Sequence, residues 1–325
     1  MIKKNIVLTL RNSKEDFRSI EKVFFQLSRY LFITYFELSY SSSSILNIYR
    51  NIVSVRKQQP SLLHISGFDH YLLWYPFKNA ILTIHDLEAL KRKKGIKRWI
   101  FKKLWFDLPI KNAVAVTTIS NFTKQELLRS NNYRTPIYVI PNPLTIEVDF
   151  EPKCEWNSEL KVLHIGTKAN KNLIRTIAAL ENISCELTII GKLSDVQYEQ
   201  LLDLGIKYRN QCNLSEEEII KEYQRCDLLC FTSTYEGFGL PILEAQALGR
   251  VVLTSNCTSM PEVAGEGAFL VDPFSVQSIR EGILKLIEDR NLREQLIEKG
   301  RQNIKRFEPK EVARQYKALY EEVEK

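Results

Sequence analysis

The chain has 325 residues, 44% hydrophobic and 26% charged, which is long enough for two globular domains and excludes a disordered or fibrous protein. It contains no run of roughly 18 apolar residues that would span a bilayer, and its first apolar run, NIVLTL, is too short for a signal peptide. Residues 1–150 carry 23 Lys and Arg against 11 Asp and Glu, a net charge of +12. Residues 151–325 carry 23 Lys and Arg against 28 Asp and Glu, a net charge of −5. The first half therefore either faces an anionic partner or stays soluble through its charge.

Strand-like and helix-like runs alternate along the chain, which predicts parallel sheets with crossover helices. In the first half the predicted strands are 5–10, 32–38, 61–65, 80–84, 114–119 and 137–140, and the predicted helices are 14–30, 43–57, 96–107 and 121–130. The second half repeats the pattern with strands at 161–166, 186–191, 227–233, 251–256 and 268–271, and helices at 172–180, 194–203, 215–224, 241–248 and 275–289.

Three prolines and no helical period in PNPLTIEVDFEPKCEW, 141–156, predict a linker between two domains. We therefore expect one Rossmann-like domain over 1–150 and a second over 151–308. A charged amphipathic helix at 309–325 is expected to pack back toward the first domain. Ligands of such doubly wound folds bind outside the carboxyl ends of the strands, which here predicts a site in a cleft between the two domains.

All six cysteines lie in the second half, several of them in apolar runs where a free thiol behaves as a small hydrophobe. Cys226 and Cys230 have helical spacing, but no second Cys or His pair accompanies them, so we predict no zinc site. Without an export signal, a reducing cytoplasmic compartment is expected.

The most informative stretch is STYEGFGLPILEAQALG, residues 233–249. It sets two carboxylates, Glu236 and Glu244, eight positions apart around a glycine-containing turn that opens a helix. Pro241 is expected at the first helical position and Gly249 as the left-handed cap. The N–H groups of the opening turn and the helix dipole form a seat for an anion. Acids on each side of a phosphate seat suit a sugar nucleotide, although an ordinary capped helix would show the same pattern.

Two further segments carry polar side chains just past a predicted strand. HIGTKANKNL at 164–173 presents lysines at a strand-to-helix junction, where loops collect anions, although a solvated lysine pair is equally consistent. ILTIHDLEAL at 81–90 places His85 and Asp86 after a buried strand, where a histidine is more often structural than catalytic.

These segments together resemble retaining glycosyltransferases of the GT-B fold, in particular glycosyltransferase family 4. The stretch 233–249 is similar to the family's Glu-x7-Glu motif, and SNCTSMPEVAGEGAFLVDP at 255–273 continues the similarity. In the first half the similarity covers 81–144, including TTISNFTKQELL and IYVIPNPL.

The resemblance implies two residues with catalytic roles and a set that binds the donor. Glu236 would contact the transferred sugar, and His85 would face that sugar from the first domain. Glu244 would bind the donor ribose, and Lys171 would neutralise the diphosphate. The remaining implied donor-binding residues are Gly166, Thr167, Lys168, Gly237, Phe238, Gly239 and Leu240.

The resemblance also implies the reaction. A sugar would pass from a UDP- or GDP-linked donor to a hydroxyl of a glycan or lipid-linked oligosaccharide in surface polysaccharide biosynthesis, with retained anomeric configuration. No Asp-x-Asp pair occurs in the sequence, which favours a metal-independent enzyme without a further cofactor.

Three departures from the family pattern are visible. Thr167 stands where many relatives carry arginine, so Lys168 is a substitute candidate. The first strand-to-helix turn, LRNSKEDF at 10–17, lacks the usual glycines, and Arg11 either replaces that contact or the contact is absent. The segment YRNQCNLS, 208–215, resembles the base-contacting loop but lacks its glycine, so the nucleotide base is not readable.

The segment KRKKGIKRWIFKKLWF, 91–106, contains eight basic residues interleaved with Trp99, Phe101, Trp105 and Phe106. This composition suits a helix on an anionic membrane surface, which would place the protein at the inner face of the membrane. A solvated basic face with aromatics in the core is an equal alternative. Nothing resembles a nucleic-acid recognition module, so no nucleic-acid partner is expected.

Other functions of the same architecture remain open at this point. They are a sugar-nucleotide epimerase or glycoside phosphorylase, a glycosidase that uses the two glutamates as acid and nucleophile, and a non-catalytic membrane-associated binding subunit. The transferred sugar, the acceptor and the oligomeric state are not readable from the sequence.

Overall fold

A computed structural model describes residues 5–11, 19–42 and 44–324. The chain divides into two compact units, one formed by residues 1–145 with 307–325 and the other by residues 146–306. Each unit is built on one six-stranded parallel sheet, which confirms the predicted α/β class.

The first unit has the sheet order β2-β1-β3-β4-β5-β6. Its strands are β1 Ile6–Leu10, β2 Thr34–Glu37, β3 Leu62–Ile65, β4 Ala80–Ile84, β5 Ala115–Thr118 and β6 Ile137–Val139. Its helices before the linker are α1 Ser19–Leu27, α2 Ile45–Lys57, α3 Glu88–Lys91, α4 Gly95–Lys102, α5 Leu108–Asn112 and α6 Asn121–Ser130, with a 3-10 turn at His70–Leu73 and a π-helical segment at Lys103–Asp107.

The inner strands β1, β3, β4 and β5 are largely buried, whereas the outer strands β2 and β6 are only partly buried. Serine caps start two of the helices. Ser44 and Ser120 accept the N–H groups of Asn47 and Thr123 and so start α2 and α6. The chain order reverses between β1 and β3, so the carboxyl ends of these two strands form the switch point of the unit.

The second unit has the order β12-β11-β10-β7-β8-β9, with its reversal between β7 and β10. Its strands are β7 Leu160–Ile165, β8 Cys185–Ile190, β9 Tyr208–Gln211, β10 Leu228–Phe231, β11 Val251–Ser255 and β12 Phe269–Val271. Its helices are α7 Leu173–Ala179, α8 Asp195–Asp203, α9 Glu216–Arg225, α10 Leu240–Ala247, α11 Met260–Ala264, α12 Val276–Glu288 and α13 Arg290–Asn303. A 3-10 turn, Ala169–Lys171, precedes α7, and another, Ile304–Phe307, follows α13.

The last helix, α14 Pro309–Val323, belongs to the first unit and lies against its sheet and α1. Tyr320 and His64, which lies in β3, are both buried, and the tyrosine hydroxyl lies 2.7 Å from His64 Nδ1. His64 Nε2 lies 2.7 Å from Thr83 Oγ1 on β4. A buried hydrogen-bonded network therefore joins α14 to the centre of the first sheet.

The element prediction differs from the structure in several places, two of which concern segments singled out in the sequence. The segment 208–215 is not a loop throughout, because Tyr208–Gln211 form the edge strand β9 on β8, and an edge strand of polar residues lacks the apolar pattern that would reveal it. The predicted helix 96–107 is α4 followed by the π-helical segment, which shifts the faces of the residues after Lys102.

Candidate active site

The loops that follow β7 and β10 meet at the switch point of the second sheet. Asn170 Nδ2 donates a hydrogen bond to Tyr235 O at 3.1 Å, and Asn172 Nδ2 donates to Thr232 O at 2.9 Å. Asn172 has φ of +64°, a conformation that asparagine tolerates better than most residues. These amides hold the HIGTKANKNL loop against the start of the glutamate-bearing loop.

Within this pair of loops, Lys171 forms an ion pair with Glu236. The distance from Lys171 Nζ to Glu236 Oε1 is 2.6 Å, and the two side chains are 22% and 15% exposed. The ammonium also lies 4.9 Å from the centre of the Phe231 ring. The sequence placed the two residues in different roles, and the structure brings them into direct contact.

Gly166 makes room for the lysine. Its φ is +92°, and an ideal Cβ at this position would lie 2.8 Å from Lys171 Cγ. The lysine stem therefore runs against a backbone segment that only glycine leaves open.

Thr167 and Lys168 differ from Lys171 in their surroundings. The Thr167 hydroxyl donates to Lys192 O at 2.6 Å, so it braces the neighbouring loop. Lys168 is exposed, and its carbonyl accepts the Lys171 N–H at 2.8 Å to close the 3-10 turn.

The turn from Glu236 to Gly239 is held by hydrogen bonds from the Ser259 hydroxyl to two of its carbonyl groups. The fully buried Ser259 hydroxyl lies 2.9 Å from Glu236 O and 2.7 Å from Phe238 O, both of which it faces as a donor. Gly239, with φ of +117°, is the N-cap residue of α10. Fixing the carbonyls in this way fixes the direction of the N–H groups at the helix start.

Helix α10 begins at Leu240, so Pro241 is the second helical residue rather than the first. Its missing N–H still costs no hydrogen bond, because the first four N–H groups of a helix have no intrahelical acceptor. The helix ends as predicted at Gly249, which has φ of +71°. Gly249 N donates to Gln246 O and Arg250 N donates to Ala245 O, which is a Schellman motif.

Glu244, on α10, accepts a hydrogen bond from a residue that the sequence analysis missed. The hydroxyl of Tyr223, a fully buried residue of α9, donates to Glu244 Oε2 at 2.7 Å. Burial, reinforced by the negative charge of Glu244, raises the pKa of Tyr223 well above its usual value. No local sequence signal marks this contact, because Tyr223 and Glu244 lie on different helices.

In the first unit His85 follows β4, and its Nε2 lies 2.7 Å from Ser66 O at the end of β3. Burial lowers the pKa of His85, and the positive charge of Arg11 acts in the same direction, against the Ser66 hydrogen bond and the carboxylates of Asp86 and Glu21. The imidazole is therefore held neutral near pH 7.

Asp86 Oδ1 accepts the Glu88 N–H at 2.8 Å, which closes a local turn just before α3. Arg11 forms a two-pronged pair with Glu21 at 2.8 and 3.0 Å. Most of the predicted glycine-free turn, 12–17, lies outside the described residues.

The basic segment 91–106 divides its apolar side chains between surface and core. On α4, Ile96, Trp99 and Ile100 are 67%, 58% and 45% exposed, and α4 buries no residue. Phe106 is fully buried, and Phe101 packs face to face with Trp105 at 5.3 Å. The segment therefore places some of its apolar side chains at the surface and others in the core.

Within the described ranges no helix is long and apolar enough to cross a membrane, and no group of three or more His, Cys, Asp or Glu side chains is arranged to hold a metal ion. The six cysteines are unpaired thiols.

Comparison with known proteins agrees with this fold. The family model described as Glycosyltransferase Family 4 matches residues 6–148, and the one described as Glycosyl transferases group 1 matches residues 159–303. O-antigen chain mannosyltransferase B of Escherichia coli is 27% identical over 73% of this chain and 69% of its own length. The serotype-specific mannosyltransferase WbdA of Escherichia coli is 36% identical over 132 residues, and the matched part is only 16% of that much longer protein.

Among solved structures, Anabaena Alr3699/HepE in complex with UDP and glucose superimposes with a TM-score of 0.75 over 98% of this chain and 99% of its own, at 15% identity. At that identity the likeness establishes the fold, which is GT-B. The two family models together account for both halves of the sequence, and the relatives are glycosyltransferases. The chain belongs to glycosyltransferase family 4.

Proposed function

We propose that this glycosyltransferase transfers a sugar from a nucleoside diphosphate sugar to a hydroxyl of a glycan or lipid-linked oligosaccharide, with retention and without a metal ion. The observation that carries the proposal is the Lys171–Glu236 ion pair, 2.6 Å long, beside the N-terminal turn of α10. A cation and a helix N-terminus at the carboxyl ends of neighbouring strands suit a diphosphate, and an adjacent carboxylate suits sugar hydroxyls.

In this mechanism the bond from the anomeric carbon to the diphosphate breaks and the acceptor oxygen bonds to the same face of the sugar. The acceptor proton passes to the departing phosphate oxygen. Lys171 and the N–H groups from Gly237 to Leu240 stabilise the charge that builds on the diphosphate, with Gly166 keeping the lysine in place. These groups supply the charge stabilisation that a divalent cation supplies in other transferases.

Glu244 binds the donor ribose, and His85 contacts the transferred sugar as a neutral imidazole. A neutral histidine with Nε2 committed to Ser66 O presents Nδ1 as an acceptor for a hydroxyl. Thr167 and Lys168 support the HIGTKANKNL loop, 164–173, Thr167 through its hydrogen bond to Lys192 O.

The relatives guide the choice of substrate. The Escherichia coli relatives are an O-antigen chain mannosyltransferase and a serotype-specific mannosyltransferase, which favours a mannosyl donor and a surface polysaccharide as product. HepE was crystallised with UDP and glucose, which favours a UDP-linked donor. GDP-mannose and UDP-glucose are therefore the first donors to test.

The exposed side of α4 is proposed to bind an anionic membrane from the cytoplasmic face. Trp99 and its apolar neighbours enter the interface while Lys97 and Arg98 contact lipid head groups, each basic residue contributing about 1 kcal/mol. Vesicles with anionic lipid should bind the protein more tightly than neutral vesicles, and Trp99→Ser should reduce that binding. Equal binding to both vesicle types would contradict this part.

The experiment for the activity is turnover of UDP and GDP sugars, with donor hydrolysis and transfer measured separately and the anomer of the product assigned by NMR. Glu236→Gln should lower turnover at least 100-fold while the far-UV circular dichroism shows an intact fold, and Glu244→Ala should mainly raise the KM for the donor. Glu199→Gln, an exposed position on α8, is the matched control and should leave both parameters unchanged.

Near-normal turnover of Glu236→Gln would remove that residue from the mechanism. Epimerised donor instead of transfer product would assign the chain to an epimerase, and an inverted anomer would contradict retention. Loss of activity on treatment with a chelator, restored by a divalent cation, would contradict the metal-independent mechanism.

A further inference from the structure

Tyr223 is a buried polar residue in direct contact with a carboxylate of the proposed donor site. Its hydroxyl lies 2.7 Å from Glu244 Oε2 and 3.4 Å from Pro241 O, and the residue as a whole is 0% exposed. A buried phenol whose pKa is raised well above its usual value stays protonated and remains a hydrogen-bond donor, and the carboxylate oxygen is the nearer of its two acceptors.

Both ends of this contact are held rigidly. Arg250 Nε donates to Tyr223 O at 2.8 Å, and Arg250 Nη2 donates to Gln224 O at 3.1 Å, which ties the end of α9 to the residue that follows the α10 cap. Glu244 lies on α10, whose last turn is closed by the Schellman motif at Gly249. The hydroxyl and the carboxylate are therefore fixed in position by the backbone around them.

A hydrogen bond to one carboxylate oxygen sets the plane of the whole carboxylate. With Oε2 held by the phenol, rotation about the Cγ–Cδ bond is restricted, and this restriction fixes the direction of Oε1. A hydroxyl pair on a ribose needs an acceptor whose direction is already fixed, because otherwise binding must supply the ordering entropy.

We propose that Tyr223 is a positioning residue that orients Glu244 for the 2′- and 3′-hydroxyls of the donor nucleotide. The proposal rests on the ribose contact of Glu244 in the proposed function. The alternative is that Tyr223 only fills the core and that its hydroxyl needs an acceptor. The two differ in one respect, since a packing role affects every nucleotide equally and a positioning role affects only nucleotides that carry ribose hydroxyls.

The test uses calorimetric titration of the full chain with UDP, GDP and their 2′,3′-dideoxy forms. For the base that binds, wild-type protein should prefer the ribose form, and Tyr223→Phe should weaken that form about tenfold while leaving the dideoxy form unchanged. Tyr198→Phe, an exposed tyrosine on α8, is the control and should change neither affinity.

Equal weakening of both forms by Tyr223→Phe, or no weakening at all, would overturn the positioning role. Glu244→Gln in the same titration separates this proposal from the one on which it rests. If Glu244→Gln removes the preference for ribose and Tyr223→Phe retains it, only the role of Tyr223 fails. If Glu244→Gln also retains the full preference, the ribose contact itself is wrong.

Discussion

Replacing Gly166 by alanine tests how the lysine of the proposed donor site is held. An ideal Cβ at Gly166 would lie 2.8 Å from Lys171 Cγ and 3.1 Å from both Cδ and Cε. The contact is with the middle of the stem rather than its tip, so the whole lysine side chain must take another rotamer. That rotamer change breaks the 2.6 Å pair with Glu236.

Two magnitudes follow for Gly166→Ala. The positive φ of +92° costs roughly 1–2 kcal/mol for a residue with a Cβ, which lowers the free energy of unfolding. The displaced ammonium removes a charge-assisted contact to the diphosphate of about 1.5–3 kcal/mol, which corresponds to a donor Kd raised roughly 10- to 150-fold.

Gly205→Ala is the matched control for Gly166→Ala. Gly205 belongs to the same unit and has φ of +60°, but an ideal Cβ there meets no atom within 4 Å. It should therefore lose a similar free energy of unfolding in urea and keep the wild-type donor Kd in calorimetry. If both variants bind donor equally well, Gly166 does not hold the lysine, and the reasoning from the close approach is refuted.

Three further changes have expected outcomes. Ser259→Ala removes the hydroxyl that donates toward the carbonyls of Glu236 and Phe238. The free energy of unfolding should fall by about 1–2 kcal/mol, and kcat should fall as well. An unchanged kcat would contradict the role of Ser259 in holding this turn. Gly249→Ala, where φ is +71° and an ideal Cβ lies 2.7 Å from Pro152 Cα, should lower the free energy of unfolding in urea by about 2–4 kcal/mol, and an unchanged free energy of unfolding would contradict this close approach. Burial, with a smaller contribution from the charge of His85, lowers the pKa of His64 to about 3. Because the unfolded state takes up the proton near pH 6.5, the free energy of unfolding falls as pH falls from 6.5 toward 3. His64→Gln should reduce the slope of unfolding free energy against pH by about 1.4 kcal/mol per pH unit in urea unfolding, and an identical slope would contradict a neutral buried imidazole.

The two-sheet fold was readable from the sequence because its strands are short apolar runs bounded by turn residues. The strand VVLTSN was predicted at 251–256 and is β11 Val251–Ser255. The edge strand β9 was not readable, since an edge strand that is half exposed has polar residues and no apolar alternation. Helix α13 was also missed, because its buried positions include Arg293 and Asn303, which look like solvent-facing residues in the sequence.

The proposed site was readable in its residue types but not in its contacts. The glycine-containing turn that opens a helix predicted an anion seat from local chemistry, and the family resemblance implied the roles of Lys171, Glu236 and Glu244. The pairing of Lys171 with Glu236 joins residues 65 positions apart, and the Tyr223–Glu244 bond joins two helices, so neither has a local sequence signal. Long-range partners follow from sheet order, and the reversal between β7 and β10 is what brings these loops together.

The ion pair also changes how the roles of its members can be divided. A lysine assigned to the diphosphate and a glutamate assigned to the sugar would act independently if they were apart, but these two side chains are in contact and less than a quarter exposed. Removing either one leaves the other charge partly buried without its partner, so each single substitution affects both proposed contacts. In the proposed site the pair would orient the ammonium before a donor arrives. The lysine and the glutamate should therefore be treated as one functional pair in the proposed site. Gly166 makes room for the lysine stem, and the Ser259 hydroxyl holds the turn that carries the glutamate.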